Sequence, residues 1–124
     1  PATGSAPTAD EAQPEQRRTA DLIARAQAYI GAHYADPEMS LTQVAAHVLL
    51  SPAYFSAMFG REVGETFVEY LTSVRIRKAT ELLRTTSLTS SEIAYQVGYN
   101  NPRYFYSVFR KIAGLPPNEY RRQG

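Results

Sequence analysis

Arg103, Tyr106, Ser107 and Arg110 recur at intervals of three and four residues, so on an α-helix they share one face. Such a face is an array of hydrogen-bond donors. A guanidinium fork matches the paired acceptors on a guanine edge, and it grips phosphate equally well. Pro102 stands at the start of this face. Fifty residues earlier, Ala53, Ser56, Ala57 and Gly60 hold the same spacing. That second face is small and uncharged. It offers one hydroxyl and apolar contact, for instance to a thymine methyl. Groups that suit phosphate flank both faces: Ser51, Tyr54 and Arg61 beside the first, Asn101, Tyr104 and Lys111 beside the second. Arg61 and Lys111 also read as compensation of a helix C-terminal dipole. Arg75, between the two sets, reads equally as a phosphate contact or as a partner for Glu69 or Glu81 along one helix.

The other reactive residue types assemble nothing. Cys is absent, which excludes disulfides, thiolate metal sites and a cysteine nucleophile. His33 and His47 lack partner ligands, so each reads as packed or solvated rather than as a metal ligand. There is no nucleophile motif, no Gly-rich phosphate loop and no acid pair at an obvious site. An enzyme is therefore not expected, and neither is a metal or cofactor.

Both faces belong to a repeat. Residues 39–48 overlie residues 88–97 with an offset of 49, and residues 51–70 overlie residues 101–120 with an offset of 50. Ser40-x-x-Gln43 and Thr89-x-x-Glu92 have the form of capping boxes, with Met39/Val44 and Leu88/Ile93 as the accompanying hydrophobic staples. Ser51-Pro52 and Asn101-Pro102 read as an N-cap followed by Pro in the first helical position. Gly64 and Gly114 stand where a helix ends on a left-handed residue. Each half thus reads as helix, short turn, helix. The second turn, Gly98-Tyr99-Asn100, is one residue longer than Leu49-Leu50. Phe55, Met58 and Phe59 form the apolar stripe of helix 3; Phe105, Val108, Phe109 and Ile112 form that of helix 6.

Between the halves, residues 66–85 contain neither Gly nor Pro. Phe67, Tyr70, Leu71, Val74, Ala79, Leu82 and Leu83 give this stretch an apolar face at helical period. As a helix it spans about 30 Å, close to one turn of B-DNA. Helix 1 is expected over 19–34, with Leu22, Ile23, Ala26, Tyr29 and Ile30 facing the core and Asp36-Pro37 stopping it. Helices 2, 3, 5 and 6 are expected at 41–48, 52–63, 90–97 and 102–113, and a short helix 7 at 117–122. Most of the nine Tyr fall beside the apolar stripe and are expected in core or rim packing; Tyr106 faces outward by periodicity. The fold class is all-α: about seven helices, arranged as two helix-turn-helix lobes (19–65 and 86–124) joined by the linker helix (66–85).

Residues 1–18 carry no Leu, Ile, Val or aromatic residue and read as a flexible linker. With a first residue of Pro rather than Met, they lead us to expect a fragment once preceded by another segment. The net charge of +1 is unevenly spread. Residues 1–40 hold six acidic against three basic residues, a balance of −3, and residues 41–124 hold ten basic against six acidic, a balance of +4. A basic repeat suits a polyanionic partner. No apolar run is long enough to span a membrane and no signal-peptide pattern is present; with the missing Cys, this fits a cytoplasmic protein.

From about residue 23 to residue 122 the chain resembles the DNA-binding domain of the AraC/XylS transcription regulators, a homeodomain-like fold. The carriers are Ser40-Leu41 with Val44-Ala45, Ser51-x-x-Tyr54-Phe55, Met58-Phe59, Gly64, and Arg75-Ile76-x-x-Ala79-x-x-Leu82-Leu83. In the second half they are Glu92-Ile93-Ala94, Val97-Gly98-Tyr99, Tyr104-Phe105, Phe109, Gly114 and Pro117-x-x-Tyr120-Arg121. The segment also looks like the output domain of response regulators that carry this module. The resemblance implies a bacterial regulator binding double-stranded DNA, with helices 3 and 6 entering successive major grooves. It also implies a separate sensing, dimerisation or receiver domain and contact with RNA polymerase.

The departures are informative. The positions of Ala57 and Gly60 are often Arg and Lys in relatives, that of Ser107 is often Arg, and that of Arg103 is often Ser or another polar residue. Gly60 reads either as drift or as close approach to the DNA backbone. We expect direct base readout to concentrate in lobe 2, with lobe 1 mainly positioning. The rival reading is a helical protein-docking module that binds no DNA, suggested by the modest charge and the neutral face of helix 3. Steep salt dependence of DNA affinity separates the two.

Overall fold

The structure, a computed structural model, describes residues 14–123. These form seven helices: α1 (Pro14–His33), α2 (Leu41–His47), α3 (Pro52–Val63), α4 (Phe67–Thr85), α5 (Ser90–Gln96), α6 (Pro102–Ala113) and α7 (Pro117–Gln123). No strand occurs among the described residues.

The helix starts are set by side-chain caps. Thr89 Oγ accepts from Glu92 N while the Glu92 carboxylate accepts from Thr89 N, a complete reciprocal box. At α2 only half of the expected box forms, with Ser40 accepting from Gln43 N at 3.2 Å. A further complete box, Thr66 with Glu69, opens α4; its signature, Thr-x-x-Glu before an apolar run, was present in the sequence. Gly64 and Gly114 close α3 and α6 in the left-handed conformation, at φ 84° and 87°.

α1 begins at Pro14, five residues before the expected start. The expected linker at 1–18 is thus helical over 14–18, and residues 1–13 lie outside the described part. Absence of large apolar residues was the wrong criterion there. Pro suits a first helical turn, and Glu15, Gln16, Arg17 and Arg18 are good helix formers. Thr19 Oγ1 adds a bond to Glu15 O at 3.0 Å.

The core is two clusters, one per lobe. The first gathers Ile30, Val44, Phe55, Met58 and Phe59 with Phe67, Leu71 and Val74 of α4. The second gathers Ile93, Val97, Phe105 and Phe109 with Ile76, Ala79 and Leu83 of α4. The linker helix therefore buries two arcs, not the single face expected. At 100° per residue the arcs point about 150° apart around the axis. Ile76 is buried although it lies off the expected stripe, whereas Tyr70 and Leu82 are only partly buried. A second correction concerns Ile112, which is 51 % exposed rather than in the α6 stripe. It borders the open groove between the lobes, where no helix covers it.

α7 locks the end of α4. Arg121 donates from Nε to Leu83 O and from Nη2 to Thr86 O, each at 3.1 Å. These are terminal carbonyls with no partner in their own helix. Ser90 Oγ donates to Asn118 Oδ1 at 2.7 Å, tying α5 to α7. No buried side-chain nitrogen or oxygen lacks a partner among the described residues.

Candidate nucleic-acid interface

The two helix-turn-helix units superimpose in their hydrogen bonding. Leu50 N donates to Ala45 O and Tyr99 N donates to Ala94 O, both at 2.9 Å; Leu49 N and Gly98 N make the matching bonds to Ala46 O and Tyr95 O. Leu49 and Gly98 both take positive φ, 62° and 103°. The additional residue in the second turn is therefore Asn100. Because the backbones match, α3 and α6 occupy equivalent places in their lobes.

Each of these helices buries its aromatic stripe and leaves the opposite face open. On α3, Ala53, Ser56 and Ala57 are exposed and Gly60 is half-buried. A Cβ at Gly60 would meet nothing within 4 Å, so no packing inside the protein requires Gly there. On α6, Arg103, Ser107 and Arg110 are exposed and Pro102 is half-buried. Tyr106 departs from expectation. It is half-buried against the second core cluster, edge-on to Phe105 at 5.9 Å, and shares a small cavity with Pro116 and Pro117. The turn leading into α7 supplies that cover, which helical periodicity within α6 does not register.

The flanking groups Ser51, Tyr54, Arg61, Asn101, Tyr104 and Lys111 are all exposed. Tyr54 and Tyr104, at matched positions, are 59 % and 60 % exposed. Ser51 and Asn101 cap their helices, Ser51 Oγ accepting from Tyr54 N and Asn101 Oδ1 accepting from Arg103 N and Tyr104 N. Beyond these bonds the Ser51 hydroxyl keeps an O–H donor and the Asn101 amide its NH2 donors. Arg61 is exposed and bonds Glu62 at 3.0 Å, a surface pair of little net energy. Lys111 is exposed at the edge of the inter-lobe groove. Of the other tyrosines, Tyr99 is buried, Tyr95 is exposed and Tyr29, Tyr34, Tyr70 and Tyr120 are half-buried, so packing is the prevailing role. His33 and His47 both pack against the Tyr29 ring, with centroids at 4.2 and 4.3 Å. No group of metal-ligating side chains occurs among the described residues.

Arg75 is the main correction. It is neither a phosphate contact nor a partner of Glu69 or Glu81. Only 9 % exposed, it donates from Nε to Tyr34 O and from Nη2 to Asp36 O, both at 2.9 Å. Its Cζ lies 5.2 Å from the centre of the Tyr99 ring. Burial pulls the guanidinium below its ordinary pKa, opposed by Tyr99 and Asp36. Burial likewise pushes the Tyr99 hydroxyl up, opposed by Arg75. The available signal was rotational. On the α4 wheel Arg75 falls between the two apolar arcs, where the lobes meet.

Two helix-turn-helix units on one shared helix, each with an open second helix, define a tandem helix-turn-helix domain. Residues 44–123 match the family model described as a helix-turn-helix domain. The chain is 38 % identical over 91 residues to YesN of Bacillus subtilis strain 168, an uncharacterised transcriptional regulatory protein, covering 71 % of this chain and 25 % of that one. The C-terminal domain of AraT, a response regulator from Geobacillus stearothermophilus, superimposes with a TM-score of 0.81 at 41 % identity, covering 83 % of this chain and 85 % of that one. The DNA-binding domain of the global transcriptional factor AdpA, solved in complex with a target DNA, gives a TM-score of 0.77 at 25 % identity, covering 82 % and 90 %.

The chain belongs to the AraC/XylS-type helix-turn-helix transcription regulators. That is a family of DNA-binding regulators rather than of enzymes. The chain spans about a quarter to a third of the length of the first curated relatives it matches. No described helix is long and apolar enough to cross a membrane.

Proposed function

We propose that this domain binds double-stranded DNA sequence-specifically, with α3 and α6 in successive major grooves along one side of the duplex. The observation that carries this reading is the pair of equivalent, outward-open helices held on one 19-residue helix. That helix is about 28 Å long, against about 34 Å for one turn of B-DNA. Arg103 and Arg110 read bases in the α6 groove, with Ser107 beside them and Pro102 and Tyr106 at the rim. Ala53, Ser56, Ala57 and Gly60 face the α3 groove and give mainly shape and apolar contact. Ser51, Tyr54, Arg61, Asn101, Tyr104 and Lys111 hold phosphates. The domain is the output part of a longer cytoplasmic regulator, joined to a sensing, dimerisation or receiver domain and acting on RNA polymerase.

Selecting bound sites from random duplexes, then titrating salt on the winning site, tests this. Enriched sites should hold two conserved tracts about one helical turn apart. The slope of log affinity on log salt should reflect several phosphate contacts, close to one per contact. A chain that enriches no sequence, or whose affinity ignores salt, is not a DNA reader of this kind.

A further inference from the structure

The main helix packing does not cross the molecule: α1–α3 pack with one another, α5–α7 do likewise, and each set packs on α4. Two lobes packed on separate arcs of one helix hold their mutual angle more tightly when a contact off the axis also ties them. Where α6 faces the N-terminal half of α4 the packing is open, and the Thr72 side chain reaches only the Tyr99 hydroxyl of the turn before α6. Val68 and Thr72 stand across an open groove of about 530 Å³ from Tyr104, Val108 and Ile112.

The tie is at Arg75. Its two bonded carbonyls, Tyr34 O and Asp36 O, belong to the chain leaving α1, in lobe 1. The ring beneath it, Tyr99, belongs to the helix-turn-helix turn of lobe 2. Tyr34 itself packs against both core clusters. Gly98 completes the junction. Its backbone lies so near that a Cβ there would sit 2.6 Å from Tyr34 O and 2.8 Å from Arg75 Nε. One planar cation thus fastens the end of α1, the middle of α4 and the second turn. Its fork reaches two carbonyls at once, which the point charge of a lysine does not do in the same geometry.

We propose that Arg75 is the positioning residue that fixes the angle and separation of α3 and α6, and thereby sets which spacing between two base tracts the domain accepts. The second half of that statement rests on the DNA reading above; the first does not. The chain has no Cys, so spin labels attached through Ala57→Cys and Ser107→Cys report the α3–α6 distance in the full chain without DNA. A narrow distance distribution is expected with Arg75 present. Arg75→Met should broaden it, and Arg75→Lys should broaden it less, with helical circular dichroism retained.

On the duplex selected by the unlabelled chain, one inserted base pair turns the second tract by about 34° and should weaken binding about tenfold. For Arg75→Met that penalty should shrink to about twofold. Distributions as narrow as that of the Arg75 protein in both variants overturn the proposal, as does loss of helix in both, which would make Arg75 a folding residue. If Arg75→Met alone fails to fold, Arg75→Lys decides. A broadened distribution in a chain that selects no duplex upholds the tie and removes only the DNA reading.

Discussion

The two lobes share a backbone and differ in nearly everything that faces outward. Their turn bonds correspond one for one, and α3 and α6 both begin on a capped Pro and end on a left-handed Gly. Yet α3 presents Ala53, Ala57 and the half-buried Gly60 where α6 presents Arg103, Ser107 and Arg110. Caps, staples and aromatic stripes are constrained because they must satisfy backbone donors and fill a core. The exposed faces carry no such internal constraint, and there the two lobes differ. The lobes also differ in their turns. Leu49, 86 % exposed, holds a conformation that L-residues avoid, in open solvent, whereas Gly98 holds it inside the inter-lobe junction.

That contrast is sharpest in the turns. Gly98→Ala should cost about 3 kcal/mol or more, because strain at positive φ adds to a clash with backbone that cannot turn away. Leu49→Gly should instead stabilise by about 0.5 kcal/mol, relief of left-handed strain being partly offset by unfolded-state entropy. Urea denaturation measures both. Equal effects would mean that the junction imposes nothing on the second turn.

The contrast between reading faces comes next. Arg103→Ala should weaken binding to the selected duplex by about 1–3 kcal/mol and relax specificity at one base pair. Ser56→Ala should change affinity by less than about 1 kcal/mol. Specificity profiles of both variants decide it. Unchanged binding for Arg103→Ala with abolished binding for Ser56→Ala reverses the division of labour.

Gly60 separates drift from function. With room for a methyl group, Gly60→Ala should raise stability by about 1 kcal/mol. Unchanged DNA affinity in that stabilised variant makes Gly60 drift; weakened affinity makes it a point of close backbone approach.

The smallest expected difference lies in the caps. The bonds from Thr89 backbone and side chain hold the Glu92 carboxyl below its ordinary pKa of 4.5. A folded-state pKa below the unfolded one means stability present above that ordinary value and lost as pH falls through the lower, folded one. At the matched position lobe 1 has the neutral Gln43. Glu92→Gln should therefore flatten the acid limb of the stability profile slightly, measured by denaturation between about pH 3 and 5, a window that reaches mostly below the ordinary value. An unaltered acid limb would show the box to be open in solution.

Much of this was legible in the chain. Thr89-x-x-Glu92, Ser51-Pro52, Asn101-Pro102, Gly64 and Gly114 act over four or five residues, so their bonds follow from local order alone. The Phe55/Phe59 and Phe105/Phe109 stripes fixed which faces of α3 and α6 turn inward, and hence which residues remain open. Local rules failed where distant segments meet. Tyr106 is covered by the approach to α7, and Ile112 is left bare by a groove. Arg75 looked like a surface cation because its carbonyl partners lie 41 and 39 residues away.

The sequence by itself determined the repeat, the helices within it and the open faces of α3 and α6, because capping and amphipathic periodicity are short-range. Only the tertiary structure decided that α4 carries its lobes on two arcs and that a buried guanidinium joins them. Burial and long-range hydrogen bonding depend on which segments are brought together, and no window of sequence contains both ends of those contacts.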